Sequence, residues 1–427
     1  MIRAQIKALE NWKKSNNRKP LIIQGARQVG KTWLMNQFGR TSYSNIAYIN
    51  FESATPLQAL FANDFNIARI ISAIEIETKQ KIQPDKTLLI FDEIQEAERG
   101  LTALKYFYEQ APEYHVMAAG SLLGISMQNG SSFPVGKVDL LQLHPLSFLE
   151  FITNLGEERL ADELAVGNWP VISVFHEKLT DLLRLYYFVG GMPEVVAAYS
   201  KDKDLELCRS LQEKILKGYE NDFGKHAPPN FLVRMRMVWQ NLVSQLAKEN
   251  KKFIYGQLKA GARAKEFESA INWLADAGLV IKVSRIEKAT LPLQAYADFD
   301  AFKLYFVDIG LLCAMANLEA SVLLKKSKIL SEFKGALSEQ FVCQQLNSKS
   351  RLYYWSAAQT AEVDFVVQKH DTIIPIEVKA EENLKSKSLK VFVDKFGNKN
   401  AIRLSMSPYR TQDWLTNIPL YGAGHVA

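Results

Sequence analysis

The stretch Gly25-Ala26-Arg27-Gln28-Val29-Gly30-Lys31-Thr32 reads G-x-x-x-x-G-K-T, and the apolar run Leu21-Ile22-Ile23 leads directly into it. A buried strand that delivers a glycine-punctuated loop, with Lys31-Thr32 opening a helix behind it, is a strand–loop–helix junction built for phosphate. Backbone N–H groups of the loop and the helix N-terminus cradle a polyphosphate. Lys31 is expected to reach the β- and γ-phosphates, and the Thr32 hydroxyl to ligate Mg²⁺.

A second element supports this reading. Leu88-Leu89-Ile90-Phe91-Asp92-Glu93 is a four-residue apolar run ending in two adjacent carboxylates. An unbroken apolar run suits a parallel strand covered on both faces, and ligands of such sheets bind at the carboxyl ends of the strands. Asp92 is expected to hold the Mg²⁺ through water, and Glu93 to orient or deprotonate an attacking water. On its own the pair reads equally well as an acidic helix cap; beside the glycine loop the metal reading prevails.

Five candidate strands, Leu21–Gln24, Ile46–Phe51, Leu88–Phe91, Val116–Ala119 and Val138–Leu143, alternate with helical text across residues 1–150. That alternation predicts an α/β domain with a parallel sheet. The fourth run ends in Gly120-Ser121, where Ser121 either senses the γ-phosphate and attacking water or caps a helix. Residues 151–230 read as a helical lid interrupted by Gly190-Gly191-Met192-Pro193.

Charge singles out the next segment. The 427-residue chain carries a net charge of +6, and residues 231–290 hold eleven Lys/Arg against five Asp/Glu, so the remainder is neutral. A basic segment in a neutral chain points to a polyanion partner. Residues 231–297 fit a winged helix: a long helix Phe231–Lys248, a short one near Gly256–Lys259, and a third with Phe267, Ala270, Ile271 and Leu274 on one face. Leu279–Val283 and Leu293–Tyr296 then form the wing. Arg263, Lys265, Lys282 and Arg285 are the candidates for phosphate contact. Packing against another domain is the competing use of the same fold.

Residues 298–427 carry another constellation. Glu339 lies in a helical stretch, followed by Glu362-Val363-Asp364 and by Glu377-Val378-Lys379, each in a strand-like run. Glu377 and Lys379 are two apart and share a strand face. An Asp on one strand with Glu-x-Lys on the next is a set that binds Mg²⁺ or Mn²⁺ beside a water-activating lysine. Alternating solvent-facing charges would produce the same short pattern.

Other classes are excluded or weakened. No apolar run approaches the ~18 residues of a membrane span, and the start lacks the apolar stretch of a secretory signal. Cys208, Cys313 and Cys343 are far apart. They read as small buried hydrophobes of a reducing, cytoplasmic compartment.

With these residues in hand, the chain resembles a bacterial and archaeal group of AAA+ ATPases that join a P-loop module to a C-terminal domain of unknown function. The resemblance rests on Gly25–Thr32, Asn50-Phe51-Glu52, Asp92-Glu93-Ile94-Gln95, Gly120-Ser121, Pro145-Leu146-Ser147-Phe148 and Gly190-Gly191-Met192-Pro193. It continues through Lys303-Leu304-Tyr305-Phe306-Val307-Asp308-Ile309-Gly310, Glu362-Val363-Asp364-Phe365 and Glu377-Val378-Lys379. It implies a five-stranded ASCE-type core, Mg-ATP binding and hydrolysis. It also implies a C-terminal α/β domain similar to PD-(D/E)XK (restriction-endonuclease-like) nucleases, with Glu339, Asp364 and Glu377 as ligands of a second metal and Lys379 as its catalytic lysine. Val363 stands where that superfamily often has proline or glycine. The expectation is thus an ATPase that contacts nucleic acid, DNA before RNA, with homo-oligomers open. The alternative is an ATP-bound signalling or scaffold switch whose C-terminal domain binds a protein and cuts nothing.

Overall fold

The computed structural model describes residues 1–120, 133–226, 229–248, 251–324, 331–357, 361–381 and 385–426. Ser121 lies outside them. Two compact units emerge, one built on Arg3–His144 with Asp276–Gly278, the other on Met1–Ile2, Pro145–Ala275 and Leu279–Ala427.

The unit of Arg3–His144 contains α1 (Gln5–Lys14), β1 (Leu21–Gln24), α2 (Lys31–Ser42), β2 (Asn45–Asn50), α3 (Ile67–Thr78), β3 (Thr87–Asp92), α4 (Gly100–Gln110), β4 (His115–Ala119) and β5 (Asp139–Gln142). All five expected strands form, within a residue or so of their expected limits. They pair in parallel in the order β2-β3-β4-β1-β5. Every residue of β3 is buried, as a strand covered on both faces requires. Leu89 and Phe91 join a core with Ile70, Ile74, Leu104 and Phe107 from α3 and α4. On the opposite face Leu88 and Ile46 lie against Gly39 of α2.

The second unit opens with helices α5 (Phe148–Asn154), α6 (Glu158–Val166), α7 (Trp169–Val174), α8 (His176–Val189), α9 (Pro193–Asp202), α10 (Leu205–His226), α11 (Pro229–Leu246) and α12 (Ala264–Asp276). Beyond them come β6 (Val280–Ile286), β7 (Ala297–Phe306), α13 (Ile309–Met315), α14 (Ala320–Leu324), α15 (Ser331–Asn347), β8 (Leu352–Ala357), β9 (Ala361–Lys369) and β10 (Thr372–Val378). The chain closes with α16 (Lys387–Phe396), β11 (Ala401–Ser405), β12 (Arg410–Thr411) and β13 (Leu415–Pro419). The eight strands form one mixed sheet in the order β12-β13-β11-β10-β9-β8-β6-β7.

That order corrects two expectations. The helices expected of a winged helix are present in outline, but the second is only a 3-10 turn at Tyr255–Gln257, and Leu293–Tyr296 is another 3-10 turn. The strand paired with β6 is β7, and β6 also pairs in parallel with β8. The would-be wing is therefore the edge of the C-terminal sheet, because buried β-branched and aromatic residues on β6 and β7 continue its hydrogen-bond ladder. The boundaries expected at 230 and 297 consequently do not separate compact units, and the helices of 151–230 belong to the same unit as this sheet. The chain passes from the first unit to the second after His144.

Two of the glycine-bearing motifs prove to be packing devices. Asp308 caps α13 by accepting from the Leu311 amide at 3.1 Å, and its other oxygen accepts from the Gly191 amide at 2.6 Å and Gln344 Nε2 at 2.9 Å. Gly190, at φ 74°, passes so close to Asp308 and Gly310 that no Cβ fits. A fully buried carboxylate with three donors is satisfied, and it ties the Gly190–Pro193 break to the start of α13.

Candidate nucleotide site and the C-terminal charge clusters

The loop between β1 and α2 has the backbone a phosphate cradle demands. Gly30 precedes α2 at φ 91°, and Gln28 also takes a positive φ of 67°. Gly25 packs so tightly on the Leu143 carbonyl that a side chain is excluded. Lys31, only 9% exposed, folds its ammonium back onto the carbonyls of Gly25 and Ala26, both at 3.0 Å. Burial lowers its pKa to about 8, offset in part by Glu93 and Asp92.

The carboxyl end of β3 meets this loop. Thr32 Oγ1 donates to Asp92 Oδ2 at 2.6 Å, and Tyr48 Oη donates to the same oxygen at 2.9 Å. Hydrogen bonds to an ionised acceptor contribute roughly 1.5–3 kcal/mol each. Glu93 sits just past the strand in the left-handed region, φ 50°, which swings its side chain out of the strand's alternation. Its Oε2 accepts from Gln95 Nε2 at 2.6 Å. Lys31, Thr32, Asp92 and Glu93 therefore converge as expected.

Neither the motifs nor the charge pattern of the sequence assigns a role to Tyr48, and Gln95 enters only as part of the Asp92-Glu93-Ile94-Gln95 motif. Tyr48 and Asn50 share one face of β2, and Asn50 pairs in register with Asp92. The signal was present: two polar residues two apart, at the end of an otherwise apolar strand beside β3. Two arginines of this unit are engaged locally. Arg69 bonds Asp64 and the Leu60 carbonyl, while Arg99 donates to the Ala62 carbonyl and covers the Phe65 ring.

The residues of this site fit Mg-ATP. A buried ammonium held only by carbonyls can exchange them for phosphate oxygens, and the hydroxyl–carboxylate pair Thr32–Asp92 has the hard oxygen chemistry Mg²⁺ prefers.

The C-terminal residues distribute differently. Between Tyr353–Val366 and Trp355–Val363 the pairing of β8 and β9 shifts by one residue, so β9 bulges at Asp364-Phe365. Val363 and Val366, three apart, both enter the core under α16. Asp364 keeps the side of Glu362, facing α15, and the bulge puts it out of step with Val366 and with the register of β10 that would set it opposite Glu377. There Glu339 Oε1 pairs with Lys251 Nζ at 2.5 Å, and Oε2 accepts from Tyr305 Oη at 3.1 Å and lies 3.7 Å from Lys303 Nζ. Lys303 also pairs with Glu362. Asp364 accepts from the Val378 amide at 2.7 Å; burial first, then Glu339, raises its pKa to about 7.

Glu377 belongs to the other face. It aligns with Arg403 of β11, whose Nη1 reaches Ser386 ahead of α16 and whose Nε donates to Asn417. Lys379 Nζ contacts Glu377 Oε1 at 3.0 Å. The expected metal set of Glu339, Asp364 and Glu377 thus does not converge, and Lys379 neutralises Glu377 instead of facing Asp364. Among the described residues no group of three or more His, Cys, Asp or Glu side chains is arranged to hold a metal. The bulge, invisible in the sequence pattern, is the physical reason.

The basic candidates also divide. Arg263 and Lys265 are exposed on or beside α12. Arg285 is paired with Asp298 at 2.5 Å, and Lys282 lies over the Phe302 ring. Among the described residues no helix is long and apolar enough to cross a membrane.

Comparison with known proteins agrees with the N-terminal geometry. Residues 17–152 match the family model of an AAA domain. Residues 180–322 and 334–421 match two families described as domains of unknown function, DUF8612 and DUF4143. The first of these runs across both boundaries expected at 230 and 297. No curated protein matches the chain. Among solved structures, the Walker-type ATPase of Pyrococcus abyssi is 12% identical, with 73% of this chain and 94% of that one covered at a TM-score of 0.45. The Orc1 protein of Aeropyrum pernix in complex with DNA is 9% identical, covering 74% and 93% at 0.28. Cdc6p of Pyrobaculum aerophilum is 10% identical, covering 75% and 94% at 0.23.

The five-stranded parallel sheet, the loop geometry and the AAA-domain match together define an AAA-type, ATP-binding P-loop module.

Proposed function

We propose that this protein binds Mg-ATP at Gly25–Thr32, hydrolyses it, and contacts nucleic acid through its basic segment. The observation that carries the nucleotide half is the bond from Thr32 to Asp92, with Glu93 one residue beyond. Mg²⁺, when bound, neutralises charge developing on the phosphate oxygens. Lys31 exchanges its carbonyl partners for phosphate. Thr32 and Asp92 are the residues that would hold the metal, with Tyr48 keeping the carboxylate in place. Glu93 takes the proton of an attacking water once its bond to Gln95 is given up. Ser121 keeps its two readings, γ-phosphate sensor or helix cap.

Exposed Arg263 and Lys265 support the nucleic-acid half, with DNA the first substrate to try. The second reading, a nucleotide-driven switch whose C-terminal domain binds a protein, is favoured by a specific observation: Glu339, Glu362 and Glu377 each contact a lysine of the chain itself. ATP turnover with and without duplex DNA, on wild type and Glu93→Gln protein, tests the proposal. Turnover should disappear in the variant and respond to DNA in the wild type; DNA binding that ignores salt would favour the switch.

A further inference from the structure

Lys303 is fully buried, yet it lies on β7, at the edge of the eight-stranded sheet. Its ammonium contacts Glu362 and lies 3.7 Å from Glu339, with the Tyr354 ring 5.0 Å away. Asp364, two residues from Glu362 on the same side of β9, adds a third carboxylate whose charge Lys303 feels. A second ammonium, Lys251, closes the rim at 2.5 Å from Glu339.

Carboxylates drawn together in a space that is buried at Glu339 and half-buried at Glu362 need cations. A divalent metal is one way to supply them, and two lysines are another. Lys303 is not a side chain that has merely swung inward. It pairs in register with Val283 of β6, between the buried neighbours Phe302 and Leu304, so the sheet itself delivers it. It also comes from the stretch matched by one family (180–322), whereas Glu339, Glu362 and Asp364 lie in the stretch matched by the other (334–421). The cation of one module is thus built into the carboxylate cluster of the next.

We propose that Lys303 is the resident cation of this cluster: it takes the place a divalent metal holds in nuclease-like sites, and it locks β7 to α15 and β9. The cluster then binds no divalent metal, and the domain cleaves no phosphodiester there. A metal entering it would have to displace a buried ammonium, which would be left without a counter-ion, or sit beside it against Coulomb repulsion. The proposal is independent of the nucleotide site.

The test uses the full chain without nucleotide, so that the P-loop has no phosphate with which to share a metal, and Mn²⁺ followed by electron paramagnetic resonance. Wild type is expected to bind no stoichiometric Mn²⁺. Lys303→Met removes one of the two ammoniums at similar volume, leaving Lys251 on Glu339, and should bind one Mn²⁺ at least ~100-fold more tightly than wild type. Its thermal midpoint should fall, then rise on adding Mn²⁺, a recovery absent from wild type and from Lys303→Met combined with Asp364→Asn. A variant recovered folded only with Mn²⁺ supports the same conclusion. Stoichiometric Mn²⁺ on wild type that is lost in Asp364→Asn overturns the proposal without any Lys303 variant. A folded Lys303→Met protein with wild-type affinity overturns it as well.

Discussion

Thr32 Oγ1 donates a 2.6 Å hydrogen bond to Asp92 Oδ2, joining the first turn of α2 to the carboxyl end of β3. The two residues are sixty positions apart, and neither motif specifies the other. The parallel order of β3, β4 and β1 brings them together, and Tyr48 on the neighbouring strand holds the shared oxygen from the other side.

Asp92→Asn keeps the shape of this junction and removes its charge. Mg-dependent ATP turnover should drop at least ~100-fold, while nucleotide binding measured without Mg²⁺ changes little. A fluorescent-nucleotide titration with and without Mg²⁺ checks both halves. Loss of binding in both conditions would assign Asp92 to folding instead.

Glu93→Gln should bind ATP as wild type does and turn it over at least ~100-fold more slowly. Lys31→Ala should lose detectable binding at micromolar protein. Equal turnover by wild type and Glu93→Gln in a phosphate-release assay would remove Glu93 from the mechanism.

The depressed pKa of Lys31 gives a pH dependence. In the free protein the ammonium titrates at about 8, while bound phosphates favour its charged form and raise that value. ATP affinity should be level below pH 8 and weaken above it, with proton uptake on binding near pH 8 to 9. Calorimetry in buffers of different ionisation enthalpy measures that uptake; affinity rising with pH would contradict it.

Removing the charge of Arg263 or Lys265 should weaken DNA binding for all sequences alike. Each lost contact should flatten the plot of log affinity against log salt by about one unit. Arg285→Ala breaks an internal ion pair with Asp298 and should leave that slope unchanged. Mobility shifts across a salt series separate the two groups; an equal effect of all three would spread the interface beyond α12.

Asp364 gives a second pH signature. Its folded pKa of about 7 lies above the value near 4 of an unfolded aspartate, the reverse of the usual carboxylate. The folded state therefore holds the extra proton between about pH 4 and 7, and stability falls as pH rises through that window. Asp364→Asn should raise the thermal midpoint by roughly 2–4 °C at pH 8 and have little effect at pH 5. A uniform loss at both pH values would show that the ionised carboxylate is needed.

The nucleotide-binding half was legible in the sequence because its chemistry is local. Gly25–Thr32 specify a loop conformation within eight residues, and Leu88–Glu93 specify a buried strand together with the carboxylates at its end. The periodicity of apolar residues gave the five strands of this sheet nearly to the residue. Tyr48 and Gln95 were missed because each acquires meaning only from a neighbour, Asp92 through strand pairing and Glu93 through a turn in the left-handed region.

The C-terminal half shows the opposite case. Glu339, Asp364, Glu377 and Lys379 satisfy a known pattern, and the composition of the strands is as expected. Whether they meet depends on register, and a shift of one residue between β8 and β9 reverses the face on which a side chain lies. Likewise Leu279–Val283 reads as a wing strand in isolation and becomes an inner strand only when β8 arrives from a distant part of the chain. Sequence by itself determined which residues favour strand, loop or phosphate. Tertiary structure decided which charges face one another, because that is set by pairing between segments and not by any one of them.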